Sequence, residues 1–153
     1  MMQILDAEKE ERLAPIFRLA FRPLFLLGGL FSCIAILLWG AALSGSIEFA
    51  PYGNILFWHS HEMLFGFVSA IIVGFLLTAV QNWTGLPSIR GKKLVILTSL
   101  WLAARAAMLF SVSPSWLVIA IDLLFLPLSG YWLAKPIIAT GQMRNLFFVP
   151  ILV

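Results

Sequence analysis

Long apolar runs are the feature that most constrains the fold of this chain. Only helices and closed β-barrels span a bilayer, and a spanning helix needs roughly 17 to 25 mostly apolar residues. Four stretches reach that length, at residues 24–43, 57–80, 94–110 and 116–133, and a fifth apolar run begins at Leu146. The sequence therefore predicts an all-α, polytopic transmembrane helical bundle with four complete spans and the start of a fifth.

Composition and cysteine content narrow the class of protein further. Hydrophobic residues make up 61% of the chain and charged residues 11%, whereas soluble domains are about half apolar and a quarter charged. The net charge of +3 comes from basic residues that flank apolar runs, which favours membrane topology over nucleic-acid binding. The single cysteine, Cys33, excludes a disulfide within the chain and a cysteine-based zinc or iron–sulfur site. The expected partner is thus the lipid bilayer, with no nucleic acid.

Two regions are predicted along the chain. Residues 1–23 form a cytoplasmic, interfacial N-terminal segment, in which residues 2–14 would make a short amphipathic helix that Pro15 ends. Residues 24–153 form the transmembrane helical domain. Because the sequence stops inside its fifth apolar run, we expect the chain to be part of a longer protein.

The distribution of basic residues predicts the topology. All but one of the ten lysines and arginines lie in the N-terminal segment, in the loop after the second span, or after the fourth span. The loops at 44–56 and 111–115 contain none. Because lysine and arginine accumulate on the cytoplasmic side, the N-terminus is predicted to be cytoplasmic, and the motif WHSHEM to lie at the outer end of the second span.

A few ionisable residues fall within the predicted spans, where they are costly and are functional candidates by default. Arg105 lies five residues before the end of the third span, and Asp122 lies six residues after the start of the fourth. At 1.5 Å per residue both sit about 8–9 Å below the outer helix ends, which predicts a buried ion pair. A haem propionate partner for the arginine, or a proton relay through the aspartate, remain alternatives. The full set comprises His59, His61, Glu62, Arg105 and Asp122.

Helical phase separates the two histidines of the motif. At 100° per residue, Glu62 and Met63 lie within about 60° of His59, whereas His61 lies at about 200°. His59 is therefore predicted to point into the bundle, and a regular helix would prevent both histidines from ligating the same iron. The His59 face continues through small residues, which let a neighbouring helix approach closely: Gly66, Ala70 and Gly74.

The same spacing suggests a site for a metal or a haem. His59, Glu62 and Met63 stand at i, i+3 and i+4; imidazole and thioether favour copper, and imidazole also suits haem iron. The carboxylate could orient an imidazole by accepting its second N–H, and His61 is a further candidate ligand. The alternative is that the histidines only anchor a helix end at the level of the headgroups.

Several blocks of the sequence resemble the NnrS family. They are FRPLFLLGGLF, WHSHEMLFGFVSAIIVGFLLTAVQNWTGLPSIRGKKL, LWLAARAA, and DLLFLP followed by RNLFF. The resemblance runs from about Phe17 to the end of the chain, and the motif residues carry over onto His59, His61 and Glu62. Arg105 and Asp122 match polar positions in the helices that follow. Family members are longer, so the chain resembles their N-terminal part.

The resemblance implies a function and a location. NnrS proteins are haem- and copper-containing proteins of the bacterial inner membrane that are associated with nitric oxide metabolism and denitrification. The implied role is protection against nitrosative stress, with haem b and copper as cofactors and nitric oxide as the small-molecule partner. Further ligands would come from the remaining helices of a longer chain or from another copy. An enzymatic activity is not implied.

Two other functions remain open from the sequence. The chain could be half of a membrane transporter with a polar substrate or proton site in the outer leaflet. It could also be a structural scaffold in which the histidines only anchor a helix. Haem content distinguishes the haem protein that the NnrS resemblance implies from these two alternatives.

Overall fold

The computed structural model of the chain describes residues 13–152, and within that range every regular element is helical. The all-α class is therefore confirmed. The amphipathic helix predicted for residues 2–14 lies almost entirely outside the described residues. The α-helices are α1 (Phe21–Leu43), α2 (Ile55–Thr84), α3 (Lys92–Leu109), α4 (Ser115–Ala139) and α5 (Phe148–Leu152), with 3₁₀ turns at Pro15–Phe17 and Met143–Phe147.

Three of these helices, α1, α2 and α4, are long and apolar enough to cross a membrane. Helix α3 has 18 residues, among them the basic residues Lys92, Lys93 and Arg105, so length and composition do not mark it as a span. Helix α5 has only five residues, too few to cross a bilayer. The predicted count of four spans and the start of a fifth is therefore supported only in its coarser form, as a helical protein with three membrane-capable helices.

The helices extend beyond the predicted apolar runs. Helix α1 begins at Phe21, within the segment predicted to be interfacial, because Pro23 falls in its first turn, where no intrahelical N–H donor is lost. Helix α4 continues from residue 133 to Ala139 through Pro136. The hydroxyl of Thr140 donates to the Pro136 carbonyl at 3.0 Å and so caps the end of this helix.

Helices α1 and α2 pack closely along the stripe of small residues. A Cβ atom placed on Gly74 would lie 3.2 Å from Leu24 Cβ, and one placed on Gly28 would lie 3.2 Å from Ala70 Cβ. Ala70 is completely buried, so the stripe is a helix contact in which side-chain volume is limiting. The apolar core continues from α1 and α2 to α3 and α4, and its fully buried large side chains include Leu24, Leu77, Leu97, Trp101 and Leu133.

The outward faces of the helices are strongly apolar. Leu37, Leu64 and Leu123 are each at least 61% exposed. A surface this apolar on helices of spanning length is what contact with lipid requires. The exposed apolar faces are therefore consistent with a bilayer environment.

The start of α2 is stabilised by a side-chain cap, because Asn54 Oδ1 accepts hydrogen bonds from the backbone N–H groups of Leu56 and Phe57 at 3.0 and 2.9 Å. We expect Asn54→Ala to lower the free energy of unfolding by about 1 kcal/mol. Unfolding in mixed detergent micelles, followed by circular dichroism, measures this loss. Asn82→Ala is the matched control, since Asn82 is exposed within α2 and caps no helix end. Equal stabilities of the two variants would refute the capping role.

Candidate functional site

Helix α2 changes its winding at the WHSHEM motif. Residues Ile55–His61 are α-helical, Glu62–Val68 are π-helical, and the α-helix resumes at Ser69, whose N–H donates to the Leu64 carbonyl, five residues back. Such segments are rare and occur frequently at functional sites. Their backbone carbonyls need other donors, and Trp101 Nε1 of α3 donates to the Gly66 carbonyl at 3.0 Å. The π segment is therefore tied to α3 by a buried hydrogen bond.

Four ionisable side chains beside the π segment form a closed ring, which we call the charge ring: His61, Glu62, Arg105 and Asp122. Glu62 Oε2 accepts from Arg105 Nη1 at 2.9 Å, and Asp122 Oδ1 accepts from Arg105 Nη2. The other carboxylate oxygens face the imidazole: Asp122 Oδ2 lies 3.2 Å from His61 Nε2, and Glu62 Oε1 lies 3.4 Å from His61 Nδ1. The charge ring thereby links α2, α3 and α4.

The charge ring is buried and its charges balance. The Glu62 side chain is fully buried, and the side chain of Arg105 is 5% exposed. Both nitrogens of His61 face carboxylate oxygens, and only the imidazolium form of the ring can donate to both. The charge ring then contains two cations and two anions. Such neutrality, together with the hydrogen bonds, offsets the cost of removing four charges from water.

The charge ring fits against α1 and α2 only because residue 66 is glycine. A Cβ atom on Gly66 would lie 2.7 Å from Arg105 Nη1 and 2.9 Å from both Glu62 Oε2 and the Phe31 ring. The Phe31 ring in turn packs edge-on against Trp101, with 5.7 Å between ring centroids. Gly66 therefore has two roles: it belongs to the small-residue stripe, and its lack of a side chain leaves room for Arg105 and Glu62 of the charge ring.

His59 lies outside the charge ring and contacts a different helix. Its imidazole stacks on the Trp39 indole of α1, with ring centroids 4.1 Å apart and an angle of 13° between the planes. Within the described part of the chain, His59 Nδ1 is buried and has no hydrogen-bond partner, and the same is true of Trp39 Nε1 and Trp58 Nε1. Buried polar groups are nearly always paired, so unpartnered polar atoms of three aromatic side chains at one end of the bundle mark a place where a ligand could bind.

The side chains of the predicted ligand cluster, His59, Glu62 and Met63, do not meet in the structure, and each contacts different residues. Glu62 binds Arg105 instead of joining His59, and Met63 packs against the apolar cluster that contains Trp58 and Met108. The physical reason is the π segment, because its wider turn invalidates a phase of 100° per residue from Glu62 onward. The structure does bring Arg105 and Asp122 together. His61 stacks on Phe65, with 5.0 Å between ring centroids.

Sequence reasoning missed the π segment, the participation of Glu62 and His61 in the charge ring, and the contact of Trp39 with His59. One signal in the sequence could have indicated the charge ring. The predicted spans contain two acids, Glu62 and Asp122, at the same end of the bundle as Arg105 and the histidines, and because unpaired charges in a bilayer are costly, each acid needs a basic partner there. No comparable signal indicates Trp39.

One role that the residues of this site fit is that of a haem ligand. Within residues 13–152 there is no group of three or more His, Cys, Asp or Glu side chains that could hold a metal ion. A haem iron needs only one imidazole from a given helix, and His59, whose Nδ1 accepts and donates no hydrogen bond among the described residues, meets that requirement. His61 fits poorly, because both of its nitrogens face carboxylates.

The fold and the site define an all-helical membrane protein with a buried charge ring and a separate histidine, His59, whose Nδ1 has no hydrogen-bond partner among the described residues. The chain belongs to the NnrS family, since the family model described as NnrS protein matches residues 15–153. No curated protein and no solved structure matches the chain.

Proposed function

We propose that the chain is part of a haem- and copper-binding protein of the bacterial inner membrane that acts in the response to nitric oxide and in denitrification. Membership in the NnrS family supports this class of function. The observation that carries the site assignment is the buried, unpartnered Nδ1 of His59. The proposed role is protection against nitrosative stress, without an assigned reaction.

His59 is the proposed haem ligand in this part of the chain. The stacked Trp39 restricts the imidazole to one ring orientation, as residues around a metal-ligating histidine do. Bound haem would supply an iron centre that coordinates nitric oxide. Further ligands, and most of a copper site, would come from other helices of a longer chain or from another copy.

The charge ring has a positioning role in this proposal. It fixes the π segment that follows His59, because Glu62 and His61 of α2 are held by Arg105 of α3 and Asp122 of α4. The placement of basic residues supports a cytoplasmic N-terminus, which puts His59 and the charge ring in the outer half of the membrane. Nitric oxide, which is small and apolar, could reach them through the lipid.

Cofactor content tests the proposal. The full-length protein is purified in detergent, haem b is quantified as its pyridine complex, and copper is measured by elemental analysis on the same samples. We expect at least one haem b per chain together with copper. A full-length protein that contains neither would overturn the proposal.

A second candidate function is half of a membrane transporter with a polar substrate or proton site. The observation that favours it is the π segment Glu62–Val68, which interrupts a membrane-capable helix beside a buried charge ring. Irregular helices that line polar sites are common in transporters. Proton or solute flux in liposomes, together with an absence of haem, would favour this candidate.

A further inference from the structure

A basic cavity lies at the end of the bundle opposite to the motif. It has a volume of about 550 Å³ and lies between the loop after α2, the start of α3 and the last turns of α4. Its basic lining residues include Lys92 and Lys93 of α3 and Lys135 of α4. Among the described residues that line it, none is an aspartate or glutamate. The described lining of the cavity is therefore positively charged.

The N-terminus of α3 and the hydroxyl of Ser88 also favour an anionic ligand in this cavity. The first turn of α3 begins at Lys92 and contains no acidic residue, and its N-cap, Gly91, has no side chain to cap it, so the helix N-terminus adds partial positive charge here. Ser88 also lines the cavity, and its hydroxyl is buried with no hydrogen-bond partner among residues 13–152. A ligand that accepts hydrogen bonds and carries negative charge would satisfy both.

The other wall of the cavity is apolar. Trp132 and Pro136 of α4 and Leu86 of the loop supply it. Lys135 lies 20 residues after Ser115 along α4, or about 30 Å at 1.5 Å per residue. That distance equals the thickness of the hydrocarbon core. The cavity is thus expected at the level of the lipid headgroups, with its apolar wall toward the acyl chains.

We propose that this cavity binds the phosphate headgroup of an anionic phospholipid. The lysines of α3 and α4 contact the phosphate from two sides, the Ser88 hydroxyl donates to it, and Trp132 packs against the glycerol and acyl region. Basic pockets between membrane helices bind anionic lipids in this way. The site is separate from the charge ring and from His59, and it does not depend on a bound haem.

Lipid retention by the full-length protein tests the proposal. The protein is exchanged into nanodiscs of phosphatidylcholine that contain increasing phosphatidylglycerol, and bound phosphatidylglycerol is counted by native mass spectrometry after release. Each lysine near a membrane surface contributes about 1 kcal/mol, which is about fivefold in affinity. We expect Lys93→Gln and Lys135→Gln each to weaken retention about fivefold, and the double variant to weaken it further.

The matched control is Arg144→Gln, because Arg144 is an exposed basic residue that does not line this cavity. It should retain phosphatidylglycerol like the unsubstituted protein. Equal losses in all variants would overturn the proposal, since a diffuse positive surface would then explain the binding. Thermal protection by inorganic phosphate as large as that by phosphatidylglycerol would also overturn it, because the ligand would then be a soluble anion. Circular dichroism checks that each variant remains folded.

Discussion

Replacing Arg105 with methionine is expected to lower the free energy of unfolding by about 3–5 kcal/mol, the usual cost of breaking a buried ion pair by removing one partner. Arg105 contacts both carboxylates of the charge ring and is 5% exposed. Methionine replaces the volume of the stem but leaves Glu62 buried beside only one remaining cation, His61. Unfolding of the full-length protein in mixed detergent micelles, followed by circular dichroism, measures the loss.

Two further variants decide whether the charge ring causes that loss. Arg144→Met removes an exposed arginine and should change stability by no more than about 0.5 kcal/mol. The double variant Glu62→Met/Arg105→Met removes a buried anion together with its cation, and it should recover part of the stability lost in Arg105→Met. If Arg105→Met unfolds no more easily than Arg144→Met, the charge ring does not hold the bundle together.

Gly66→Ala is expected to destabilise the protein by about 1–3 kcal/mol, although alanine is the better helix former, because the added methyl group overpacks a filled site. The new Cβ atom would lie 2.7 Å from Arg105 Nη1 and 2.9 Å from Glu62 Oε2. Neither side chain can withdraw without lengthening a hydrogen bond of the charge ring. The same unfolding assay measures the loss.

Gly29→Ala is the matched control for this substitution. Gly29 lies within α1, and a Cβ atom there would meet nothing within 4 Å. The intrinsic preference of helices for alanine should then raise the free energy of unfolding by about 0.5–1 kcal/mol. Changes of the same sign and size in both variants would show that helix propensity, and not contact with the charge ring, decides the effect at residue 66.

The positions of the helices could be predicted because apolar runs of spanning length leave few alternatives. Residues 57–80 were predicted as one span, and α2 covers them as Ile55–Thr84. The depth of Arg105 and Asp122 below the outer helix ends could also be predicted, because the constant rise per residue of an α-helix converts position in the sequence into distance along the helix axis. The two side chains are in contact in the structure.

The side-chain partners within α2 could not be predicted in the same way. Phase arguments assume regular winding, and the π segment Glu62–Val68 removes that regularity at the point where the site begins. Its stability depends on contacts that are distant in sequence, among them the hydrogen bond from Trp101 to the Gly66 carbonyl. The stacking of His59 on Trp39 has the same origin, since it depends on how α1 and α2 pack. Sequence spacing contains no information on either contact.

The central claim is that His59, and not His61, is the haem ligand in this part of the chain. The most direct test is the reduced-minus-oxidised optical spectrum of the full-length protein and of its His59→Ala and His61→Ala variants, at equal protein concentration. We predict that the haem Soret band is lost in His59→Ala and kept in His61→Ala. A Soret band that survives in His59→Ala, or disappears only in His61→Ala, would contradict the assignment of His59.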